Sequence, residues 1–502
     1  PVNRGAIPEK CPSFSSVLSR LFFKRENLRF LRKKGKIPVI PLRIPLPFGR
    51  KCGTLSLVDK TISIPKNRRK AGRLFGLPVP GKTAFALRPL GALMLGKEQY
   101  AMVYTRNVSD SIVWVGGSDR RLALFENLFP IPRGVSYNSY VILDEKTALL
   151  DTVDSSIALQ FLQNVRATLG DRPLDYLIVN HMEPDHCATI EMLLPYYPNL
   201  KIVGNAKTFQ MIRQFYDFDV DSHALVVKEG DALELGSHTL RFYTAPMVHW
   251  PEVMVSYEES EKVLFSADAF GTFGAVDGAL FNDEVDFDKD WLEDARRYYG
   301  NIVGKYGPQV QAALKKLSGL DIATICPLHG PVWRNDLGYL LNKYDLWSRY
   351  EPEEKAVAIF YASMYGNTEN AANLLANGLA EAGVKNIALY DISSTHVSTL
   401  IAEIFRCSHI VLASPTYNNG IYPAMYNFLH DMKALMVQNR TVGLIENGSW
   451  APASGKLIRL RLEEMKNMTL LEPTVTLKSS LKEDSRAQLE ALKDAIVASL
   501  NA

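Results

Sequence analysis

Six residues, His181-Met182-Glu183-Pro184-Asp185-His186, constrain this chain more than any other stretch. They follow Leu174 to Asn180, an apolar run that reads as a buried strand, so four potential metal ligands crowd the loop where a strand ends. Alternation points His181, Glu183 and Asp185 one way, and His186 turns in as the loop closes. Two imidazoles and two carboxylates without a thiolate suit iron, manganese or zinc. None of the nine histidines precedes residue 181. His249 and His329 again follow strand-like runs, and Asp268 follows Val263 to Phe265. Ligands at the ends of successive strands converge on one edge of a sheet sandwich.

The surrounding text from residue 102 to residue 350 alternates short strands with helices. Ile112 to Val115 reads as a strand, and Tyr140 to Leu143 with Thr147 to Leu150 as a hairpin across Asp144-Glu145-Lys146. A helix is expected from Ser156 to Leu169. Further strands are expected at 201–203, 225–227 and 240–243, with a hairpin at 253–255 and 263–265. Two helices are expected between Lys289 and Lys316. This pattern predicts two sheets flanked by helices. Glu351-Pro352-Glu353-Glu354 is polar and reads as a linker.

From 355 to 502 the pattern becomes a strict strand–helix alternation. Strands at 357–361, 387–390, 410–413 and 442–445, with helices at 368–382 and 454–466, predict a doubly wound parallel sheet. Three loops follow these strands, where such sheets bind ligands. Ser363, Met364, Tyr365, Gly366, Asn367 and Thr368 open a helix and offer backbone N–H groups to a phosphate. Ser414, Pro415, Thr416, Tyr417, Asn418, Asn419 and Gly420 form the second loop. Asn447, Gly448, Ser449 and Trp450 belong to the third, and Tyr417 and Trp450 are placed to flank a flat ring. No GxGxxG stretch is present, which argues against bound NAD or FAD.

Charge divides the chain. Residues 1–100 hold 22 Lys and Arg against 4 Asp and Glu, leaving 35 basic and 50 acidic residues for the remainder. Residues 1–101 therefore form a basic extension, expected to be disordered, with a targeting presequence and a basic binding arm as the other readings. Five cysteines without a CxxC pair exclude a zinc ribbon or a built-in rubredoxin-type iron site, and fit a reducing, cytoplasmic setting. No apolar run is long enough to span a membrane. Neither membrane nor nucleic acid is expected as a partner.

The ligand pattern resembles the metallo-β-lactamase superfamily, and Glu183, where hydrolases carry a second histidine, resembles the flavodiiron (A-type flavoprotein) family. The spacings fit: 62 residues separate His186 from His249, 18 separate His249 from Asp268, and 60 separate Asp268 from His329. The three C-terminal loops resemble those of short-chain flavodoxins. The expected architecture is thus a metallo-β-lactamase-like αββα sandwich followed by a flavodoxin-like sheet.

The resemblance implies two non-haem irons. One takes His181, Glu183 and His249, the other Asp185, His186 and His329, with Asp268 bridging. It further implies FMN in the C-terminal domain, and reduction of dioxygen to water, of nitric oxide to nitrous oxide, or both. It implies a rubredoxin or flavin reductase as electron donor. A head-to-tail homodimer, or a dimer of such dimers, follows from the same resemblance. Tyr137 and Trp250 are candidate pocket residues, and Phe270 and Phe273 may be read either as pocket walls or as core. The segment Phe270-Gly271-Thr272-Phe273 resembles oxygen-reducing members, so dioxygen is the expected preference. A zinc hydrolase with an accessory flavodoxin module is the alternative, and Glu183 argues against it.

Overall fold

The structure is a computed structural model that describes residues 103–502; the basic extension lies outside the described residues. Its first half stacks two sheets. Strands Ile112–Trp114, Tyr140–Ile142 and Ala148–Leu150 run antiparallel, joined by the expected hairpin. Three parallel strands follow, Tyr176–Ile178, Lys201–Gly204 and Ala224–Val226. Helices Ala158–Leu169 and Ala206–Phe215 provide the crossovers such parallel pairing requires. With the short strand Arg106–Asn107 at one edge, this sheet has seven strands.

The second sheet has five strands, in the order Ala232–Glu234, Thr239–Thr244, Met254–Glu258, Val263–Phe265 and Thr324–Cys326. Ile112, Tyr140, Ile178 and Val203 from the first sheet meet Phe242, Met254 and Phe265 from the second in one buried layer. The strands are buried on both faces because helices cover the outer sides, so they read as continuous apolar runs. Val263–Phe265 and Thr324–Cys326 are parallel neighbours, which brings the chain out at the same sheet edge just before Asp268 and His329.

The C-terminal half is a parallel sheet in the order Ile387–Asp391, Glu354–Tyr361, Cys407–Tyr417, Arg440–Asn447, Met468–Leu470. Strand Val475–Leu477 also pairs with Arg440–Asn447. Helices Asn367–Glu381 and Glu483–Asn501 cover one face. Helices Val397–Arg406, Pro423–Ala434 and Ser454–Leu462 cover the other.

Two expectations are corrected. The stretch 289–316 is not two plain helices: Leu292–Tyr298 widens into a π-helical turn, Tyr299–Val303, before Gly307–Leu317. Nor is Glu351 to Glu354 a solvated linker. Glu354 already begins a strand, and the Glu353 side chain is 1% exposed. Its carboxylate accepts bonds from Arg296, from Lys343 Nζ at 2.8 Å and from Trp347 Nε1 at 2.6 Å. A buried carboxylate of this kind is tolerated only when paired and hydrogen-bonded, as here. Beside it Tyr299 contacts both Trp347 and Phe405, so the two halves share one aromatic seam.

Candidate metal and flavin sites

His181 leaves the end of strand Tyr176–Ile178, and three residues on Pro184 starts a single helical turn, Pro184–Cys187. That turn breaks the alternation expected for the motif. His181 and Glu183 stay together on one side, while Asp185 is rotated to join His186. With the other strand ends, the seven residues form two adjoining sets: His181, Glu183, His249 and Asp268, and Asp185, His186 and His329. All seven are buried.

Asp268 stands between the sets and divides its carboxylate. Oδ2 lies 3.0 Å from His249 Nε2 and 3.3 Å from His181 Nε2. Oδ1 lies 3.2 Å from His186 Nε2 and 3.6 Å from His329 Nε2. Glu183 Oε2 reaches His249 at 3.0 Å, and Asp185 Oδ2 reaches His186 at 3.2 Å and His329 at 3.3 Å.

The supporting bonds fix which ring nitrogen faces inward. His181 donates Nδ1–H to Glu252 at 2.8 Å, and Met182 N–H donates to the same oxygen. His329 donates Nδ1–H to the Ser136 carbonyl at 2.7 Å. Both Nε2 lone pairs are thereby left for the site, the arrangement metal-binding imidazoles use. Asp151 accepts from the N–H groups of Asn180 and His181, pinning the strand end. After His329 the chain turns at Gly330 with φ +76°, where a Cβ would meet Thr272 at 2.1 Å.

Without a cation the set is poorly satisfied. His186 and His329 bring their Nε2 atoms within 3.0 Å of each other. Both Asp185 oxygens and Asp268 Oδ1 are buried without a hydrogen-bond partner. Buried polar atoms left in this way call for an ion. Burial disfavours charge on His186, His249 and Glu183, yet the mutual attraction wins. Burial would lower His186, but Asp185 and Asp268 raise it to about 10; His249 rises to about 9 beside Asp268 and Glu183. Burial would raise Glu183, but His181 and His249 bring it down to about 2. Concentrated carboxylate charge facing inward imidazole lone pairs fits two hard or borderline cations, and the residues present fit two irons.

A mouth of about 480 Å³ opens onto this centre, lined by Leu124, Phe125, Glu126, Tyr137, Glu183 and Asp185 among others. Tyr137 lies there as expected, its ring 5.8 Å from that of His329. Burial and Asp185 push its hydroxyl well above the usual range, so it stays protonated. Trp250 is not in the mouth. It stands edge-on to His181 at 5.3 Å and braces that ligand from behind. Phe270 and Phe273 are core residues, packed on Tyr344 and on Phe125 and Tyr298.

Glu126 was not apparent in the sequence. It sits at φ +50° on the turn between Leu124–Phe125 and Phe129–Pro130 and leans on Glu183, and burial with that contact pushes it up to about 8. Its neighbours, a two-strand hairpin too short to show alternation, carry no local signal. Glu252 and Asp151 were likewise missed, although Asp151 follows a strand end just as the ligands do.

In the C-terminal half a cavity of about 520 Å³ lies at the carboxyl ends of the strands. Of the expected residues, Ser363, Met364, Tyr365, Asn367, Thr368, Pro415 to Asn419 and Asn447 to Trp450 line it, joined by Ala451 and Ser479. Gly366, Ser414 and Gly420 do not line it. Gly366 takes φ +82° at the start of helix Asn367–Glu381, its N–H bonded to Ser363 Oγ at 3.0 Å. Ser414 is buried beneath, and Gly420 pairs back with Tyr417 in a small hairpin. The helix N-terminus at one end suits a phosphate. Tyr365 and Trp450, 90% and 89% exposed, stand at its rim. Large aromatics so exposed beside a cavity fit a flat ring system such as that of FMN.

Comparison with known proteins agrees. Residues 135–330 match the ODP family of β-lactamase-like domains, and residues 359–478 match the flavodoxin family. A nitric oxide reductase of Moorella thermoacetica is 32% identical over 373 residues, covering 74% of this chain and 92% of that protein. An anaerobic nitric oxide reductase flavorubredoxin of Aeromonas hydrophila is 31% identical, covering 76% of this chain and 77% of that one. Among solved structures, the rubredoxin oxygen:oxidoreductase of Desulfovibrio gigas superposes with a TM-score of 0.73 at 30% identity, covering 79% of this chain and 99% of that one. The flavodiiron protein of Giardia intestinalis gives 0.74 at 26% identity, covering 80% and 96%. With an αββα sandwich bearing a two-set His/Asp/Glu centre joined to a flavodoxin-like sheet, the chain belongs to the flavodiiron family of oxidoreductases.

Proposed function

We propose that this chain reduces dioxygen to water and nitric oxide to nitrous oxide at the two-set centre, with dioxygen preferred. The divided carboxylate of Asp268, one oxygen to each ligand set, carries the reading: it would serve a cation in each set. One iron would be held by His181, Glu183 and His249, the other by Asp185, His186 and His329. Iron supplies electron transfer and Lewis acidity, and FMN in the C-terminal cavity supplies the electron store.

The chain's own residues do the rest. Tyr137 presents a protonated hydroxyl in the mouth, able to donate a hydrogen bond to an oxygen atom of the bound gas. Leu124 and Phe125 give the mouth an apolar wall. Glu183 and His249 meet at 3.0 Å within their set. The dioxygen preference rests on the Phe270–Phe273 segment. A zinc hydrolase is not favoured, because Glu183 stands where hydrolases of this fold carry a second histidine, and a flavin-sized cavity has no use in hydrolysis.

Electrons are proposed to arrive from a separate rubredoxin or flavin reductase, since the chain has no CxxC pair of its own. The exposed Tyr365 and Trp450 support a partner surface at the flavin rim, in a head-to-tail dimer that sets the cavity of one copy against the centre of the next. Among the described residues no helix is long and apolar enough to cross a membrane. The cysteine usage supports a reducing, cytoplasmic setting.

The test is consumption of each gas, followed separately, by iron-loaded, FMN-bound protein supplied by rubredoxin and its reductase. Rapid turnover lost on Asp268→Ala supports the reading. Nitric oxide turnover matching the dioxygen rate would sink the preference, and zinc in place of iron would sink the reductase itself.

A further inference from the structure

One buried cation lies outside the metal centre and is used by nothing described so far. Arg297, on helix Leu292–Tyr298, is 6% exposed. Its Nη2 donates to the Pro130 carbonyl at 2.6 Å, on the hairpin that edges the metal mouth. Its Nε donates to Ser398 Oγ at 2.8 Å, in the first turn of helix Val397–Arg406 of the flavodoxin-like half. Its guanidinium carbon lies 5.1 Å from the centre of the Phe273 ring. The carboxylate of Asp294 stays 3.9 Å away, and its other bond goes to Arg133 at 3.0 Å. A planar fork of this kind serves several acceptors at fixed angles, which Lys cannot.

Each contact leads on toward the centre. Phe273 touches Phe125 at 5.4 Å, and Phe125 lies edge-on against the His329 ring at 5.4 Å. Phe125 and Phe129 are the paired residues of the hairpin whose turn holds Glu126. On the other side, Ser398 Oγ–H donates a hydrogen bond to His396 Nδ1 at 2.8 Å, and its backbone carbonyl accepts from Asn301 at 3.0 Å. Burial holds His396 below the usual range, leaving Nδ1 free to accept.

We propose that Arg297 is a positioning residue for the metal pocket. It fixes the hairpin Leu124–Pro130 and the Phe273 ring behind Phe125, and takes its own orientation from Ser398, so that docking of the flavodoxin-like half sets the shape of the mouth. Leu124 and Leu128 at the hairpin tip are 36% and 55% exposed, so little else restrains it from outside.

The test compares Arg297→Met, Arg297→Lys and Ser398→Ala in the full chain. Amide hydrogen exchange over residues 124–129 should quicken by roughly tenfold or more in Arg297→Met and by less in the other two, with the sheets unchanged. KM for the gas should rise by roughly fivefold while kcat stays within about twofold and FMN and metal content hold. The kinetic half rests on the proposed gas reduction; the exchange half does not, and decides the matter even if neither gas is consumed. Should Arg297→Met fail to fold, Ser398→Ala, which removes one hydroxyl, decides alone. Wild-type exchange over 124–129 in the folded variants overturns the proposal. So does a fall in kcat and metal content with KM unchanged, which would mark a merely structural arginine.

Discussion

At the scale of single residues, the centre depends on atoms behind the ligands as much as on the ligands. Glu252 takes both the His181 ring proton and the Met182 amide, so Glu252→Ala strands two buried donors and frees the ring to turn. Metal affinity should drop by roughly 10- to 100-fold, read by titration of the apoprotein with iron under anaerobic conditions. Asp268→Ala should be harsher, removing an oxygen from each set, and leave the protein unable to retain a full complement of metal. The ligands were legible because each follows a strand end, and their residue types are rare in such positions. Glu252 and Ser136 were not, because they reach the site from elements distant in sequence and carry no pattern of their own. Alternation put Glu183 and Asp185 on one side, and only the family resemblance separated them, since the split depends on a one-turn helix that Pro184 starts.

At the scale of elements, turns do the positioning. Gly330 ends the His329 loop with a backbone conformation and a clearance that no other residue meets, so Gly330→Ala should destabilise the fold and displace His329. Thermal unfolding together with metal content checks both effects. At the edge of the sandwich, His238 ties three further turns together, bonded to Asp144 at 2.7 Å, Glu261 at 3.2 Å and Ser111 at 2.9 Å. Burial lowers His238, but these carboxylates prevail and raise it, while Asp144 and Glu261 are held low. A proton held more tightly folded than unfolded stabilises fully below about pH 6.5, and the gain is lost as pH rises through the raised folded value. The stability deficit of His238→Gln against wild type should therefore be greatest near pH 6 and shrink toward alkaline pH. Urea midpoints across that range measure it. The hairpins and parallel strands were legible from alternation and apolar runs. The π-helical turn was not, because Tyr299 to Val303 has the periodicity of an ordinary helix.

At the scale of the whole molecule, the sequence reads as two units joined by a polar linker, and the structure buries the Glu353 side chain of that stretch. Glu353 misled because a polar quartet with a proline has the composition of a solvated connection; only the packing of Arg296, Lys343 and Trp347 around it shows otherwise. Removing a buried partner leaves charge uncompensated, so Glu353→Ala should cost about 3–5 kcal/mol. Calorimetry should show the entire melting profile shifting down, because the Tyr299, Trp347, Tyr350 and Phe405 seam belongs to both halves.

That seam limits how the chain can be divided. A free flavodoxin is a portable electron carrier, whereas here the flavin-bearing half has an apolar face completed only by its neighbour. Severed at residue 350, each piece would present Phe405 or Trp347 to water and clump with its own kind. What looks like modular assembly in the sequence is, in packing, a pair of halves that cover each other's aromatic side chains.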